Sequence, residues 1–437
     1  MIPYSEFLKR KELREQETGI TVSPQQLHPS LFDWQKRIVQ WACKVGRAAI
    51  WADTGLGKTR MQLEWLRQVC AEHGMGLILA PLAVCQQTIR EATLIGMDVS
   101  YVHDMSEVVG EGFHITNYER VPKLDASKFD AVVLDEASIL KQSDGKTRKM
   151  LIDTFKDTKY RLACTATPAP NDPEELCNQA EFLGYTTRVK MLATYFVHDR
   201  NVWRLKGHAV KPMMRWMSQW AMALRKPSDI GGDDTGYDLP GLNQLVDVVD
   251  YHGSVPEGQL FAADLGGVGG RARVRKETLQ DRVNRCVELV NREPGEQWII
   301  WAGLNDEADM LNRLIPDSVN VKGSMSPEDK ASAFLDFADN GIPVLITKGS
   351  MASFGLNWQN CARMIFCGIN DSWESYYQSI RRCYRFGQKR VVDVHVVVSD
   401  LEREIAENIA RKEQQATHLS DELVKTMNEN NSYGRAA

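Results

Sequence analysis

The 437-residue sequence lacks several features that mark large classes of protein. No apolar run approaches the roughly 20 residues of a membrane span, and the N-terminus has no signal-peptide pattern. We therefore expect a cytoplasmic protein with no membrane partner. Nine cysteines are present, but no two are spaced Cys-x-x-Cys, which argues against a zinc ribbon and a disulfide framework. We expect most of them to be small buried hydrophobes in a reducing cytosol.

The chain also has no excess of positive charge. Its formal net charge is −5, with 43% hydrophobic and 25% charged residues, which is typical of a soluble globular protein. Any nucleic-acid partner would therefore have to be held by a local basic groove, not by the charge of the whole chain. The length exceeds one hydrophobic core and predicts two domains of ordinary size.

The most specific pattern present is Trp-Ala-Asp-Thr-Gly-Leu-Gly-Lys-Thr at residues 51–59. The apolar or small residues 48–52 predict a buried strand that leads into the loop. Gly55 and Gly57 would let backbone N–H groups close around phosphate oxygens, where a Cβ would collide. The segment therefore predicts a phosphate-binding loop, although Ala52 stands where the common form of the motif has glycine.

The side chains of this loop suit a nucleotide. A helix is predicted to begin near Lys58, whose ammonium would neutralise the β and γ phosphates. Thr59 would offer its hydroxyl to Mg²⁺, and Thr54 belongs to the same nucleotide-contacting loop. A glycine-rich turn between strand and helix is the simpler alternative.

An acidic pair follows the loop at a distance that suits a nucleotide site. Residues 131–134 are apolar and largely β-branched, which predicts a central parallel strand. Asp135 and Glu136 follow at its carboxyl end, where open α/β sheets bind their ligands. Asp135 can hold Mg²⁺ through water, and Glu136 can orient and deprotonate an attacking water. The alternative is an acidic pair that caps the next helix.

The two halves of the chain share an alternation of strands and helices, which implies parallel sheets with helices on both faces. In the first half the predicted strands are 47–52, 76–80, 113–116, 131–135 and 160–164, and the predicted helices are 58–73, 84–94, 144–155 and 172–182. In the second half a helix at 276–291 is followed by strands at 297–302, 318–321, 343–347, 363–367 and 392–398, and an amphipathic helix is predicted at about 400–427.

Residues 187–225 are rich in Met and Trp at a spacing close to that of one helix face. We predict a helical segment whose apolar face packs in the core or between lobes. A contact with nucleic acid is the less favoured interpretation.

Further short motifs occur in a definite order along the chain. They are 31–35 with Gln35, 79–81 with Pro81, 115–119 with Thr116, Asn117 and Tyr118, 164–168 with Thr165 and Thr167, Gly323 and Ser324, 354–358 with Gly355 and Asn357, and 378–388 with Gln378, Arg382 and Arg385. In this order the set resembles superfamily 2 helicases of the Snf2 type, over roughly residues 28–400. Residues 225–229 and the box at 135–138 look like those of short Snf2-related proteins encoded by bacteriophages and prophages.

The resemblance implies two tandem RecA-like lobes with ATP in the cleft between them. Lobe 1 would be residues 1–235, with a helical extension at about 187–230, and lobe 2 would be residues 236–437. Lobe 1 would bind ATP and Mg²⁺ through the residues above, with Gln35 reading adenine. A surface glutamine at a helix start is the alternative for Gln35.

In lobe 2 the resemblance makes Arg382 and Arg385 arginine fingers that stabilise the charge of the transferred phosphoryl group. Gln378 would help to place the water or link it to a finger. Their spacing would put both arginines on one helix face, which also fits a surface pair of ion-paired side chains.

The resemblance also implies a nucleic-acid face that holds the phosphodiester backbone, with little sequence specificity and marked salt dependence. The candidates are Pro81, Thr116, Asn117, Tyr118, Gly323, Ser324, Lys348 and Ser350. Thr165, Thr167, Gly355 and Asn357 would couple this face to the ATP site. For the two threonines, a hydroxyl cap at a strand end is the alternative.

The expected function is an ATP-dependent translocase of Snf2 type on duplex DNA. The main alternative is a strand-separating helicase in phage replication or recombination, whose proteins would then be partners in the bacterial host cytoplasm. A DNA-binding scaffold with a decayed ATPase is disfavoured because Lys58, Asp135 and Glu136 are intact. A nuclease is disfavoured because no carboxylate cluster is evident outside the ATP site.

Overall fold

The computed structural model describes residues 17–70, 74–141, 145–199, 202–251, 274–349, 351, 357–369 and 372–430. The predicted sites Ser350 and Gly355 lie outside these residues. The chain forms two compact units. Unit 1 extends to Thr235 and also takes in the chain from Gln415 onward, and unit 2 is Gly236–Gln414.

Unit 1 is built on a seven-stranded sheet. Its strands are β1 Arg47–Ala52, β2 Met75–Ala80, β3 Val99–Tyr101, β4 Gly112–Asn117, β5 Ala131–Asp135, β6 Tyr160–Cys164 and β9 Ala221–Leu224. They lie in the order β3-β4-β2-β5-β6-β1-β9, and every neighbouring pair is parallel. The central strands are buried along nearly their whole length, so they read as continuous apolar runs.

Seven helices belong to the described part of unit 1 up to Thr235. They are α1 Asp33–Val45, α2 Lys58–Val69, α3 Leu82–Leu94, α4 Lys146–Phe155, α5 Leu176–Leu183, α6 Arg188–Tyr195 and α7 Val210–Met217. Between α6 and α7, strands β7 Phe196–Asp199 and β8 Val202–Leu205 pair as an antiparallel hairpin.

Unit 2 is built on a six-stranded sheet. Its strands are β10 Leu242–Val249, β11 Trp298–Ala302, β12 Ser318–Asn320, β13 Val344–Thr347, β14 Arg363–Cys367 and β15 Val392–Ser399. The order is β10-β15-β14-β11-β13-β12, and all pairs are parallel. The helices are α8 Leu279–Arg292, α9 Asn305–Leu314, α10 Pro327–Ala338, α11 Trp373–Ile380 and α12 Arg403–Asn430, which continues into unit 1.

The expected α/β class and the two RecA-like units are confirmed by these parallel sheets flanked by helices. All the predicted strands are present, within a residue or two at their ends. The sequence did not predict the three-residue strand β3, the hairpin strands β7 and β8, or the strand β9.

The prediction that 187–225 is helical is wrong in part. This segment contains α6 and α7, but also the hairpin and β9, which pairs with β1 at the edge of the sheet. The β9 sequence Ala-Met-Ala-Leu is made of good helix formers, so pairing with β1 outweighs the local preference. The predicted packing role is confirmed, since Met213, Met214, Trp216, Met217, Trp220 and Met222 are all buried.

The C-terminal helix differs from the expectation that 236–437 forms one lobe. Residues from Gln415 onward group with unit 1, where Asp421 pairs with Arg225 and Leu423 is buried. All nine cysteines are buried and free, as predicted. Among the described helices, none combines the length and hydropathy needed to cross a bilayer.

The core beside the phosphate-loop strand offers a stability test. Trp220 is fully buried, stacks on Tyr185 at 5.3 Å and meets Trp51 edge-on at 5.9 Å. We expect Trp220→Ala to lower the free energy of unfolding by about 3–5 kcal/mol, measured by urea denaturation with far-UV circular dichroism. Leu94→Ala, at a 69% exposed side chain, is the control and should change it by less than about 0.5 kcal/mol.

Candidate active site

The phosphate loop joins β1 to α2, and its backbone needs two glycines. Gly55 has φ of 88° and Gly57 has φ of 74°, both in the region that disfavours a side chain. A Cβ on Gly57 would lie 2.4 Å from the amide nitrogen of Gln35. The Lys58 ammonium donates to the backbone oxygens of Ala52 at 2.8 Å and Asp53 at 3.3 Å. The loop is therefore a tight cradle lined by backbone groups, with one cation held inside it.

Gln35 is part of the scaffold of this loop. It is only 3% exposed, so the alternative of a surface glutamine is wrong. Its Oε1 accepts from the Phe32 N–H at 3.0 Å, and its Nε2 donates to the Leu56 carbonyl at 3.1 Å. These bonds connect the start of α1 to the phosphate loop. The adenine-reading role stays a prediction.

The acidic pair lies at the carboxyl end of β5. Asp135 is 5% exposed, and burial raises the pKa of its carboxyl, an effect opposed by the positive charge of Lys58. Glu136 has φ of 60° and ψ of 59°, a left-handed conformation that costs a non-glycine residue about 1–2 kcal/mol. Strain of this kind is found at functional positions, and it supports a catalytic use of the Glu136 carboxylate.

A chain of hydrogen bonds connects Glu136 to the next motif. The hydroxyl of Thr165, which is fully buried, donates to the Glu136 carboxylate at 3.3 Å. The same hydroxyl accepts from the Thr167 N–H at 3.1 Å. Thr165 thus caps the end of β6 and at the same time contacts the candidate general base. A movement of the segment that contains Thr165 and Thr167 would therefore change the contact with the Glu136 carboxylate.

Three residues predicted to contact nucleic acid point into unit 1 instead. Thr116 is fully buried and its hydroxyl donates to Val102 O at 2.7 Å. The Tyr118 hydroxyl donates to the backbone oxygen of Asp135 at 2.5 Å, and burial raises its pKa. Asn117 is 7% exposed. We therefore withdraw these side chains as nucleic-acid contacts, since all three are buried and only Tyr118 contacts the acidic pair.

Asn117 is held by two neighbours. The Tyr101 hydroxyl donates to its Oδ1 at 2.9 Å, and its Nδ2 donates to the Glu119 carboxylate. Pro81 remains partly exposed just before α3. It is the one predicted lobe 1 contact among the described residues that keeps accessible surface.

The arginine pair of unit 2 does not lie on a helix. Helix α11 ends at Ile380, whose carbonyl accepts from the N–H groups of both Cys383 and Tyr384. The chain therefore turns, and Arg382 and Arg385 occupy this turn, contrary to the prediction of one shared helix face. Burial lowers the pKa of Arg385 to about 10, helped by the positive charges of Arg382 and Arg381.

Gln388 holds the arginine turn in place, a role that the sequence did not reveal. Its Nε2 donates to Cys361 O at 2.9 Å and to Cys383 O at 3.2 Å, and its Oε1 accepts the N–H groups of Lys389 and Arg390. All these hydrogen bonds of its side-chain amide are made inside unit 2. Its spacing of three residues from Arg385 was the only signal in the sequence.

The coupling motif of unit 2 contacts the same turn. The Trp358 N–H donates to the Arg382 carbonyl at 2.8 Å, and Asn357 beside it is exposed. Gln378 is half-buried on α11. The 357–358 backbone is thus attached directly to a candidate arginine finger.

The predicted nucleic-acid contacts of unit 2 are accessible. Gly323 and Ser324 are exposed after β12, and Lys330 donates to the Gly323 carbonyl at 2.7 Å. Lys348 is half-buried after β13. These positions suit contacts through backbone N–H, hydroxyl and ammonium groups.

The residues of unit 1 fit a nucleotide with its Mg²⁺. The loop turns tightly through two glycines with positive φ, Gly55 and Gly57, and Lys58 supplies a positive charge beside it. Among the described residues, no three His, Cys, Asp or Glu side chains cluster to hold a metal by themselves. Asp135, with the Thr59 hydroxyl, suits Mg²⁺, which is commonly held by one or two protein ligands together with substrate phosphates and water.

Comparison with known families agrees with this geometry. Residues 34–196 match the SNF2-related domain, and residues 281–387 match the helicase conserved C-terminal domain. Together the two matched domains place the chain in helicase superfamily 2. Within that superfamily the chain belongs to the Snf2 type, because its N-terminal match is to the SNF2-related domain.

Individual relatives are distant. The chain is 21% identical over 433 residues to the DNA annealing helicase and endonuclease ZRANB3 of Mus musculus, covering 88% of this chain and 40% of that protein. It is 26% identical over 152 residues to the RNA polymerase-associated protein RapA of Actinobacillus pleuropneumoniae serotype 5b (strain L20), covering 30% and 16%. The chain thus spans less than half the length of these curated relatives.

Among solved structures, the Sulfolobus solfataricus SWI2/SNF2 ATPase core in complex with dsDNA matches with 18% identity and a TM-score of 0.46. The match covers 95% of this chain and 98% of that one.

The close approach at Gly57 generates a prediction. Gly57→Ala places a Cβ against Gln35 and strains the backbone, so we expect the Kd for a fluorescent ATP analogue to rise at least about tenfold, equivalent to about 1.4 kcal/mol. Gly96→Ala is the matched control, because Gly96 also has positive φ (66°) but nothing within 4 Å of an added Cβ. Unchanged ATP affinity in Gly57→Ala would contradict the proposed cradle.

Proposed function

We propose that this protein is an ATP-dependent translocase that moves along duplex DNA. The observation that carries the proposal is the chain of hydrogen bonds from Thr167 through Thr165 to Glu136. It gives a loop outside the phosphate cradle a direct contact with the candidate general base. A DNA motor needs such a contact, because its rate of ATP hydrolysis has to respond to the DNA along which the protein moves.

In this proposal unit 1 binds ATP and prepares the water. Lys58 neutralises the β and γ phosphates, and the backbone N–H groups around Gly55 and Gly57 hold their oxygens. Glu136 orients the attacking water and takes its proton, in a conformation enforced by β5 and by Thr165. Asp135 and Thr59 hold Mg²⁺, which when bound neutralises the charge of the phosphate oxygens.

In this proposal unit 2 supplies two arginines in addition to the positive charge of Lys58 in unit 1. We propose that Arg382 and Arg385 act on the γ-phosphate when nucleic acid favours closure of the two units. The lowered pKa of Arg385 supports this role, because its guanidinium is partly desolvated beside other cations and would gain from an anion. Gln378 would help to place the water.

The proposed track is the DNA backbone. Pro81 in unit 1 and Gly323, Ser324 and Lys348 in unit 2 are accessible and offer contacts that carry no base information. A relative named as a DNA annealing helicase supports DNA as the partner. The likeness of residues 225–229 and of the box at 135–138 to phage-encoded Snf2-related proteins supports a role in phage replication or recombination in the host cytoplasm.

One experiment ranks the possible tracks. We expect the ATPase rate to be low without nucleic acid, highest with duplex DNA, and lower with single-stranded DNA or RNA. Duplex stimulation together with triplex displacement, but no unwinding of forked DNA, would support translocation. Unwinding of the fork would instead favour the strand-separating helicase. Lack of stimulation by any nucleic acid would refute both, with Lys58→Ala as the inactive reference.

The arginine turn generates a separate prediction. Arg385→Ala should lower the stimulated kcat by on the order of 10³ while leaving the Kd for ATP within about twofold, because a finger stabilises charge only during transfer. Arg390→Ala is the control, since Arg390 lies in the same unit but pairs with Glu296 at 2.7 Å. If Arg385→Ala retained full turnover, the finger assignment would be wrong.

A further inference from the structure

The most basic stretch of the chain lies outside the helicase motifs. Residues 188–215 contain a single acidic residue, Asp199, in a chain whose net charge is −5. The Lys and Arg residues of this stretch are Arg188, Lys190, Arg200, Arg204, Lys206, Lys211 and Arg215. Most of the stretch also lies between the two matched family domains, because the first domain ends at residue 196 and the second begins at residue 281.

The β7–β8 hairpin gives this stretch two different faces. The pairs Phe196–Leu205 and His198–Trp203 share one face, where Phe196 is 2% exposed and the two rings of the second pair lie 4.8 Å apart. The other face presents Arg204 to solvent. Phe196 therefore anchors one face of the hairpin, and the opposite face, where Val197, Val202 and Arg204 are exposed, is open to contact.

Several of the cations serve the fold. Arg188 pairs with Glu174 at 3.0 Å, and Lys206 donates to the backbone oxygens of Ala193 and Thr194 at the end of α6. Arg204 pairs with Asp199 on the exposed face, which costs little to replace because surface pairs contribute about 0–1 kcal/mol.

Other cations face solvent. Lys190, in the first turn of α6, and Lys211, in the first turn of α7, are exposed. Neither has a carboxylate within ion-pair distance among the residues that the structure describes. Arg215 is also exposed. We give the name hairpin surface to the exposed cations among the described residues of the stretch 188–215, on the hairpin and on the two helices that flank it: Lys190, Arg204, Lys211 and Arg215.

The hairpin also contacts the segment that follows the coupling threonines. Strand β8 packs against the turn Pro173–Glu175. Both the backbone and the side-chain amide of Asn171 donate to the Glu175 carboxylate, at 3.1 and 2.8 Å. A displacement of the hairpin by a bound ligand would therefore be transmitted to the segment that follows Thr165 and Thr167.

We propose that the hairpin surface is a second binding site for the sugar-phosphate backbone of DNA, outside the helicase motifs. The argument is electrostatic, since accessible Lys and Arg side chains in an otherwise acidic chain release counterions from a polyanion. The proposal rests on DNA as the partner and adds a contact that the family motifs do not contain.

The test is a charge reversal of two lysines. Lys190→Glu with Lys211→Glu places both new carboxylates in the first turn of a helix, where the helix dipole favours them, so the fold is preserved. We expect the Kd for a fluorescent DNA duplex to rise roughly tenfold, and the slope of log Kd against log salt to fall by about 2, near 1 per lysine. Binding is measured by anisotropy between about 50 and 200 mM salt.

The matched control reverses Lys128 and Lys156, two exposed lysines of unit 1 near the amino ends of β5 and β6. It should leave both the Kd and the slope unchanged. If the two double variants behave alike while the wild type binds DNA, the hairpin surface is refuted and the translocase proposal stands. If the wild type itself fails to bind DNA, the proposed function fails with it.

Discussion

The structure of unit 1 depends on one close approach, between the amide of Gln35 and the phosphate loop. That amide donates to Leu56 O, lies 2.4 Å from the position of a Cβ at Gly57, and would have to move to admit one, while the φ of 74° at Gly57 also disfavours a side chain. The loop therefore takes its shape from backbone geometry and one buried side chain, and Lys58 is held inside it by the Ala52 carbonyl. Because Gln35 lies in the first turn of α1, the position of this helix affects the shape of the phosphate loop.

Polar side chains at the ends of the central strands support the active site from behind. Tyr118 donates to the backbone of Asp135, and Thr165 donates to the carboxylate of Glu136. Buried hydroxyls are costly without partners, so each finds one within unit 1. Unit 2 shows the same pattern, because both the nitrogen and the oxygen of the Gln388 side-chain amide are hydrogen-bonded within or beside the arginine turn. We therefore propose contacts with nucleic acid only for exposed backbone, hydroxyl and ammonium groups.

The strands were predictable because a buried parallel strand is a short, continuous apolar run, visible without knowledge of its neighbours. Strand β9 could not be predicted in this way, because its four residues favour a helix. They form a strand only by pairing with β1, some 170 residues earlier in the chain. The hairpin at 196–205 was missed for a related reason, since it lies within a segment whose Met and Trp spacing is typical of a helix.

The sequence by itself determined the chemistry of the ATP site, because glycines, Lys58 and the acidic pair at Asp135 are recognised by residue type and spacing within short segments. Tertiary structure alone decided that Tyr118 faces inward and that Arg385 lies in a turn. The physical reason is that residue chemistry and periodicity are local properties. Burial and hydrogen-bond partners are set by strands and helices that are distant in the chain and meet only when it folds.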